Sequence, residues 1–186
     1  MFVTFIAIIV ILIVIVSIMN TGVTSSSGGT DQTKAVKAIT EVSTLAQNSG
    51  FYKSLSDNND YAGLTTQALV DNGIVDAGDT VSITAGTNDT EYEDEAGNHP
   101  ADGARLIKSK AISGLYYEVS EGPDANHLQV KVWKKTADAP AAGDSLAIAI
   151  DRAYSKFGAY DPANGSNEGV SSNTAANDGL ATVVFR

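Results

Sequence analysis

From Phe2 to Met19 the chain reads FVTFIAIIVILIVIVSIM, apolar at every position except Thr4 and Ser17. As a helix this run would be roughly 27 Å long, close to the hydrocarbon thickness of a bilayer. It has no polar side, so such a helix must be surrounded by lipid or by protein. The next segment, Asn20-Thr21-Gly22-Val23-Thr24-Ser25-Ser26-Ser27-Gly28-Gly29-Thr30, is rich in residues that break or loosen a helix. Gly22, Gly28 and Gly29 mark it as a joint over residues 20–30. Asp31 is then placed to cap a second helix, DQTKAVKAITEVSTLAQNSG, in which Val36, Ile39, Val42, Leu45 and Ala46 form one apolar stripe. The pattern predicts a stem over residues 1–50 and a globular head over residues 51–186.

In the head, FYKSLSDNND over residues 51–60 reads as a loop, and LTTQALVD over 64–71 as a short helix stopped by Asn72-Gly73. Residues 80–84, 114–120 and 127–134 have strand character. The turn-forming linker over 121–126 makes a hairpin of the last two. DSLAIAIDRAYSKF over 144–157 is a helix with Leu146, Ile150, Ala153, Tyr154 and Phe157 on one face. A Gly/Asn/Ser-rich loop runs to about Gly179, and residues 181–186 form a closing strand. The expected class is α+β: a long N-terminal helix, apolar in its first half and amphipathic in its second, packed on a small antiparallel sheet.

Charge sharpens the division. No ionisable side chain precedes Asp31, so all 22 acidic and 12 basic residues lie beyond the first thirty positions. The net charge of −10 argues against nucleic acid as the main partner and suits a solvated, self-repelling surface. The chain has no cysteine, which removes disulfides, thiol catalysis and zinc–thiolate sites. Three readings of the apolar run remain open. A cleavable signal lacks its positive n-region and small-residue cleavage site. A plain membrane anchor lacks flanking Lys or Arg. The third reading is a processed N-terminus whose charged leader has been removed.

Little in the chain points to catalysis. His99 and His127 stand apart, and no GxSxG, HExxH, Walker or GxGxxG pattern occurs. The acidic run over 89–95 and Asp57-Asn58-Asn59-Asp60 offer oxygens for calcium, but without an EF-hand spacing they read as solvated loops. Asn88-Asp89-Thr90 and Asn164-Gly165-Ser166 match the glycosylation sequon. No enzyme activity, cofactor or metal is expected.

An uncharged N-terminal helix, a Gly-loosened joint, an amphipathic continuation and a small α+β head resemble the bacterial type IV pilins. Residues 61–75 (YAGLTTQALVDNGIV) are similar to the LTxxxLxxAGxxP-like segment that follows the stem in type IVb pilins, with Asn72 and Asp76 where that pattern has Ala and Pro. A methionine at the mature first residue also occurs in that subclass. Two departures stand out. Phe5 replaces the family's usual glutamate, leaving the hydroxyl of Thr4 as the nearest polar side chain to the Met1 amine, and the family's C-terminal disulfide is absent. They leave a divergent major pilin, a pseudopilin and a minor subunit all open.

The resemblance implies a structural subunit, held in the inner membrane before assembly and then polymerised with copies of itself into an extracellular surface filament. Met1, Phe2, Phe5, Ile6, Ile9, Val10, Ile13 and Val16 would pack in the filament core. Gly22, Gly28 and Gly29 would form a helix-melting joint, and Met1 would be N-methylated. A prepilin peptidase and the pilus assembly machinery are the implied partners. The alternative is a monomeric, N-terminally anchored membrane protein with an extracytoplasmic binding domain.

Overall fold

The computed structural model describes residues 26–172 and 177–186. The apolar run and Gly22 lie outside the described residues. The first element is a single helix, Ser26–Leu55 (α1), 30 residues and about 45 Å long. Its buried stripe is Ala35, Ala38, Ile39, Val42 and Ala46, with Val36 and Leu45 only half-buried. The covered face is therefore turned slightly from the expected stripe, toward the small residues. The reason is its neighbour: the helix Ser145–Tyr154, labelled α3 below, packs along α1, with Ile150, Ala153 and Tyr154 in the same core cluster as the α1 stripe.

Three expectations for the stem are corrected. Gly28 and Gly29 do not interrupt the helix: α1 runs through both, and the Thr33 hydroxyl donates to the Gly29 carbonyl at 2.8 Å. Asp31 is not a cap but lies within α1, where its carboxylate accepts from Ser145 Oγ. The helix also does not stop near Gly50. It continues over Phe51–Leu55, read from sequence as loop, because tertiary contacts hold this polar turn. Tyr52 donates its hydroxyl to the Ala62 carbonyl at 3.1 Å, and the Lys53 ammonium lies 4.8 Å above the Tyr61 ring.

A short helix, Thr66–Asp71 (α2), follows, capped by the Thr65 hydroxyl on Ala68 N. Seven strands among the described residues form one sheet: Thr80–Ser82 (β1), Tyr92–Glu93 (β2), Arg105–Lys108 (β3), Leu115–Glu121 (β4), Leu128–Lys135 (β5), Gly169–Ser172 (β6) and Thr182–Phe185 (β7). Their order is β1-β3-β4-β5-β7-β6, every pairing between them is antiparallel, and β2 joins the far end of β5. The β4–β5 hairpin pairs from Leu115 with Lys134 to Glu121 with Leu128, as its turn-rich linker predicts. The fold is thus α+β, an N-terminal helix with a seven-stranded antiparallel sheet.

Alternation along the central strands sets the two faces. Leu115, Tyr117 and Val119 of β4, with Leu128, Val130 and Val132 of β5, face α1 and α3 and build the main core. Trp133 and Leu106 face the other way. They meet Ile83 and Tyr92 in a second, smaller cluster under the 83–104 segment. Gly114, at the entrance to β4, has φ +81° and lies so close to the chain at Asp138-Ala139 that a Cβ there would sit 2.3 Å from Ala139 N. Only glycine fits that crossing.

Candidate functional site

The described residues hold one concentrated set of polar contacts between stem and head, and it centres on Glu41. This residue lies beside Val42 at the margin of the buried stripe of α1. Its Oε2 accepts from Ser109 Oγ at 2.6 Å and from the Tyr117 hydroxyl at 2.9 Å, while its Oε1 accepts from the Lys110 backbone N–H at 2.9 Å. The Ser109 hydroxyl also accepts from the backbone N–H groups of Ala111 and Ile112, fixing the turn between β3 and β4. Burial, with Tyr154 and Glu41 nearby, pushes the Tyr117 hydroxyl well above its usual pKa, so it stays a donor. Beside it, the fully buried Tyr154 hydroxyl has no hydrogen-bond partner among the described residues. Burial first, then the Glu41 and Asp151 carboxylates, keep that hydroxyl protonated. The arrangement clasps the helix to the sheet through charge-assisted bonds. Sequence reasoning passed over Glu41, because its partners Ser109, Lys110 and Tyr117 lie far along the chain.

A second polar cluster lies on the other face of the sheet and corrects the reading of the acidic run as a solvated loop. Asp94 and Glu95 are buried. Asp94 accepts from Lys131 Nζ at 2.8 Å, from the backbone N–H groups of Ala96 and Asn98, and from the Asn98 side chain. Burial alone would raise its pKa, but these bonds prevail and hold it below the usual carboxylate value. Lys131 also lies 4.7 Å above the Trp133 ring, whose Nε1 donates to Glu118 Oε2 at 3.0 Å. Burial raises the Glu118 pKa against that bond and the Lys131 charge. Asp94, Asn98, Lys131, Trp133 and Glu118 each contact another of these groups, so the cluster reads as scaffold.

Met1, Phe2, Phe5, Ile6, Ile9, Val10, Ile13, Val16 and Gly22 lie outside the described residues. The exposed His99 contacts the Tyr92 carbonyl through Nδ1, and the buried His127 pairs through Nδ1 with Asp124, which this contact holds below its usual pKa. In the sequons, Asn88 uses both arms of its amide on the 82–84 backbone, and Asn164 donates to Asp161. No three His, Asp or Glu side chains converge as metal ligands among the described residues. No helix among them is long and apolar enough to cross a membrane.

One surface feature was read from sequence only in part: Phe51, with Tyr52, was expected to pack in a filament core at the end of the stem, and Leu55 was passed over. Phe51 and Leu55, one helical turn apart at the C-terminal end of α1, are 66% and 65% exposed and are the large apolar side chains most open to solvent among the described residues. Between them and Ile74 lies an open groove of about 430 Å³. Comparison with known protein families, curated proteins and solved structures finds no match to this chain.

Proposed function

We propose that this chain is a structural subunit of a type IV pilus-like surface filament, polymerising through its hydrophobic N-terminal segment and performing no catalysis. One observation carries the reading. A 30-residue helix is fastened lengthwise to a sheet-built head, and its N-terminal end is where an uncharged, almost wholly apolar segment joins. All ionisable side chains reside on one part of the chain, and the part that needs a cover lies at one end. That division suits a rod held in the inner membrane and later packed among copies of itself. In the filament, Met1, Phe2, Phe5, Ile6, Ile9, Val10, Ile13 and Val16 supply the core contacts. Gly22, Gly28 and Gly29 are the positions where the helix lengthens under load. A prepilin peptidase and an assembly machine are its processing partners, and Met1 carries the N-methyl group.

Exchanging lipid for other apolar helices yields little hydrophobic free energy, so cohesion must come from close packing of many side chains and from contacts between heads. Negative-stain images of sheared cell-surface material test the reading. Filaments containing this chain are expected, with an N-methylated Met1 by mass spectrometry. Recovery of the chain solely as detergent-soluble monomers would overturn it in favour of an anchored binding protein.

A further inference from the structure

Resting on the filament reading, we propose that the groove formed by Phe51, Leu55 and Ile74 is the seat on the head for the apolar segment Phe2–Met19 of a second copy. Phe51 and Leu55 lie on the side of α1 turned away from the sheet, because Tyr52 and Lys53 occupy the contacts with the 60–64 turn. The rest of that open side is polar: Thr30, Thr33, Lys34, Lys37, Thr44 and Gln47 are all exposed. An uncharged rod laid along it would strip water from two lysine ammonium groups and offer them no acceptor, which is unfavourable. At the C-terminal end the surface changes character. The groove carries no charge, its polar lining consists of neutral side chains such as Asn48, Ser54 and Asn72, and its volume of about 430 Å³ has room for protruding side chains.

The position of the chain's own segment selects between the two sources of such a rod. Phe51 lies about 37 Å along α1 from Ser26, at 1.5 Å per residue. To reach the groove from its own end, the segment would have to double back over Lys34 and Lys37 for most of its length. A segment arriving from another copy meets the groove without crossing that stretch. The apolar groove at the C-terminal end of α1 and the apolar segment Phe2–Met19 are thus complementary, one of each per chain. That stoichiometry extends a contact from copy to copy without closing it.

The absence of cysteine makes the test clean. Full-length chains carrying Leu55→Cys are co-expressed with chains carrying Phe5→Cys, Ile9→Cys or Ile13→Cys, and the sheared surface material is oxidised. A disulfide between Cys at 55 of one chain and a position within Phe2–Met19 of another supports the proposal. So does loss of polymer in the Phe51→Ser/Leu55→Ser chain, expected at roughly a hundredfold or more per contact, provided its head keeps its circular dichroism. Filaments that form normally from the Phe51→Ser/Leu55→Ser chain, together with no such disulfide in the filaments of the cysteine chains, overturn the groove assignment alone and leave the filament reading standing. A disulfide formed within one chain, in a chain carrying both cysteines, overturns it in favour of a folded-back segment. Chains that never assemble overturn both readings together.

Discussion

Glu41 and Tyr154 show how differently two polar groups at one buried junction can contribute. Glu41 accepts three hydrogen bonds, two of them from side chains far away in sequence, and Glu41→Gln removes the charge that strengthens them while leaving a similar shape. The expected loss is about 1.5–3 kcal/mol, read as a lower urea midpoint at unchanged slope. The Tyr154 hydroxyl is desolvated and finds no partner among the described residues. Tyr154→Phe keeps the ring in the core and removes the stranded group, so stability should rise by about 1 kcal/mol, or roughly 2–4 °C in Tm for a chain of this size. Should Tyr154→Phe destabilise instead, its hydroxyl must bond to water or to Glu41 in solution. Neither role was legible beforehand. A glutamate on an amphipathic helix looks like any solvated charge until the β3–β4 turn, about seventy residues later, is known to close over it.

At the scale of elements, β1, β4, β5 and β7 could be read, β1 inside the strand-like residues 80–84. The β4–β5 hairpin alternates over seven and eight residues around a turn-rich linker, and β7 is a compact apolar run. β2, β3 and β6 escaped because they have two to four residues each. A period of two cannot declare itself over so short a stretch, and β6 sits inside a Gly/Asn/Ser-rich segment. The helical turn at Phe51–Leu55 escaped for a related reason: its sequence is neutral, and Tyr52 and Lys53 form it by bonding elsewhere. The segment over the outer face of the sheet is held by Lys131 in the same non-local way. Lys131→Met leaves Asp94, whose side chain is only 2% exposed, without its cation, and should destabilise the fold by about 3 kcal/mol. The pH dependence has a defined sign. Because the Asp94 pKa is lowered in the folded chain, its contribution is complete above the ordinary aspartate value near 4 and is lost as pH falls through the folded value. The fall in stability on acidification should therefore be smaller in Lys131→Met than in the parent, as measured by urea unfolding at pH 7 and at pH 3. Gly114→Ala tests the other crossing: with a Cβ 2.3 Å from Ala139 N, the β4 entrance and the 136–139 turn cannot both keep their places, and loss of cooperative unfolding is expected.

At the scale of the whole molecule, the net charge of −10 lies entirely outside the segment proposed to drive assembly. A filament of such copies therefore places like-charged heads side by side around an uncharged core. Two effects of salt then compete. If heads were joined mainly by ion pairs, salt would weaken the polymer. If they are joined by apolar and close-packed contacts against a background of repulsion, salt would strengthen it by screening that repulsion. The balance of charge decides between them. There are 22 acidic side chains against 12 basic ones, and Lys110, Lys131, Lys134 and Lys135 already lie within 4 Å of carboxylates of their own head, so carboxylates outnumber the basic groups left to bridge copies. Repulsion should dominate. Raising ionic strength from about 0.01 M to 0.15 M shortens the screening length from roughly 30 Å to 8 Å, and the assembled fraction in sedimentation should increase across that range. Lowering the pH toward the sequence isoelectric point of about 4.4 removes the net repulsion altogether and should bring whole filaments together into bundles visible by negative stain. Disassembly by added salt at neutral pH would mean that ion pairs between heads, and not the apolar segment with its seat at Phe51 and Leu55, hold the copies together.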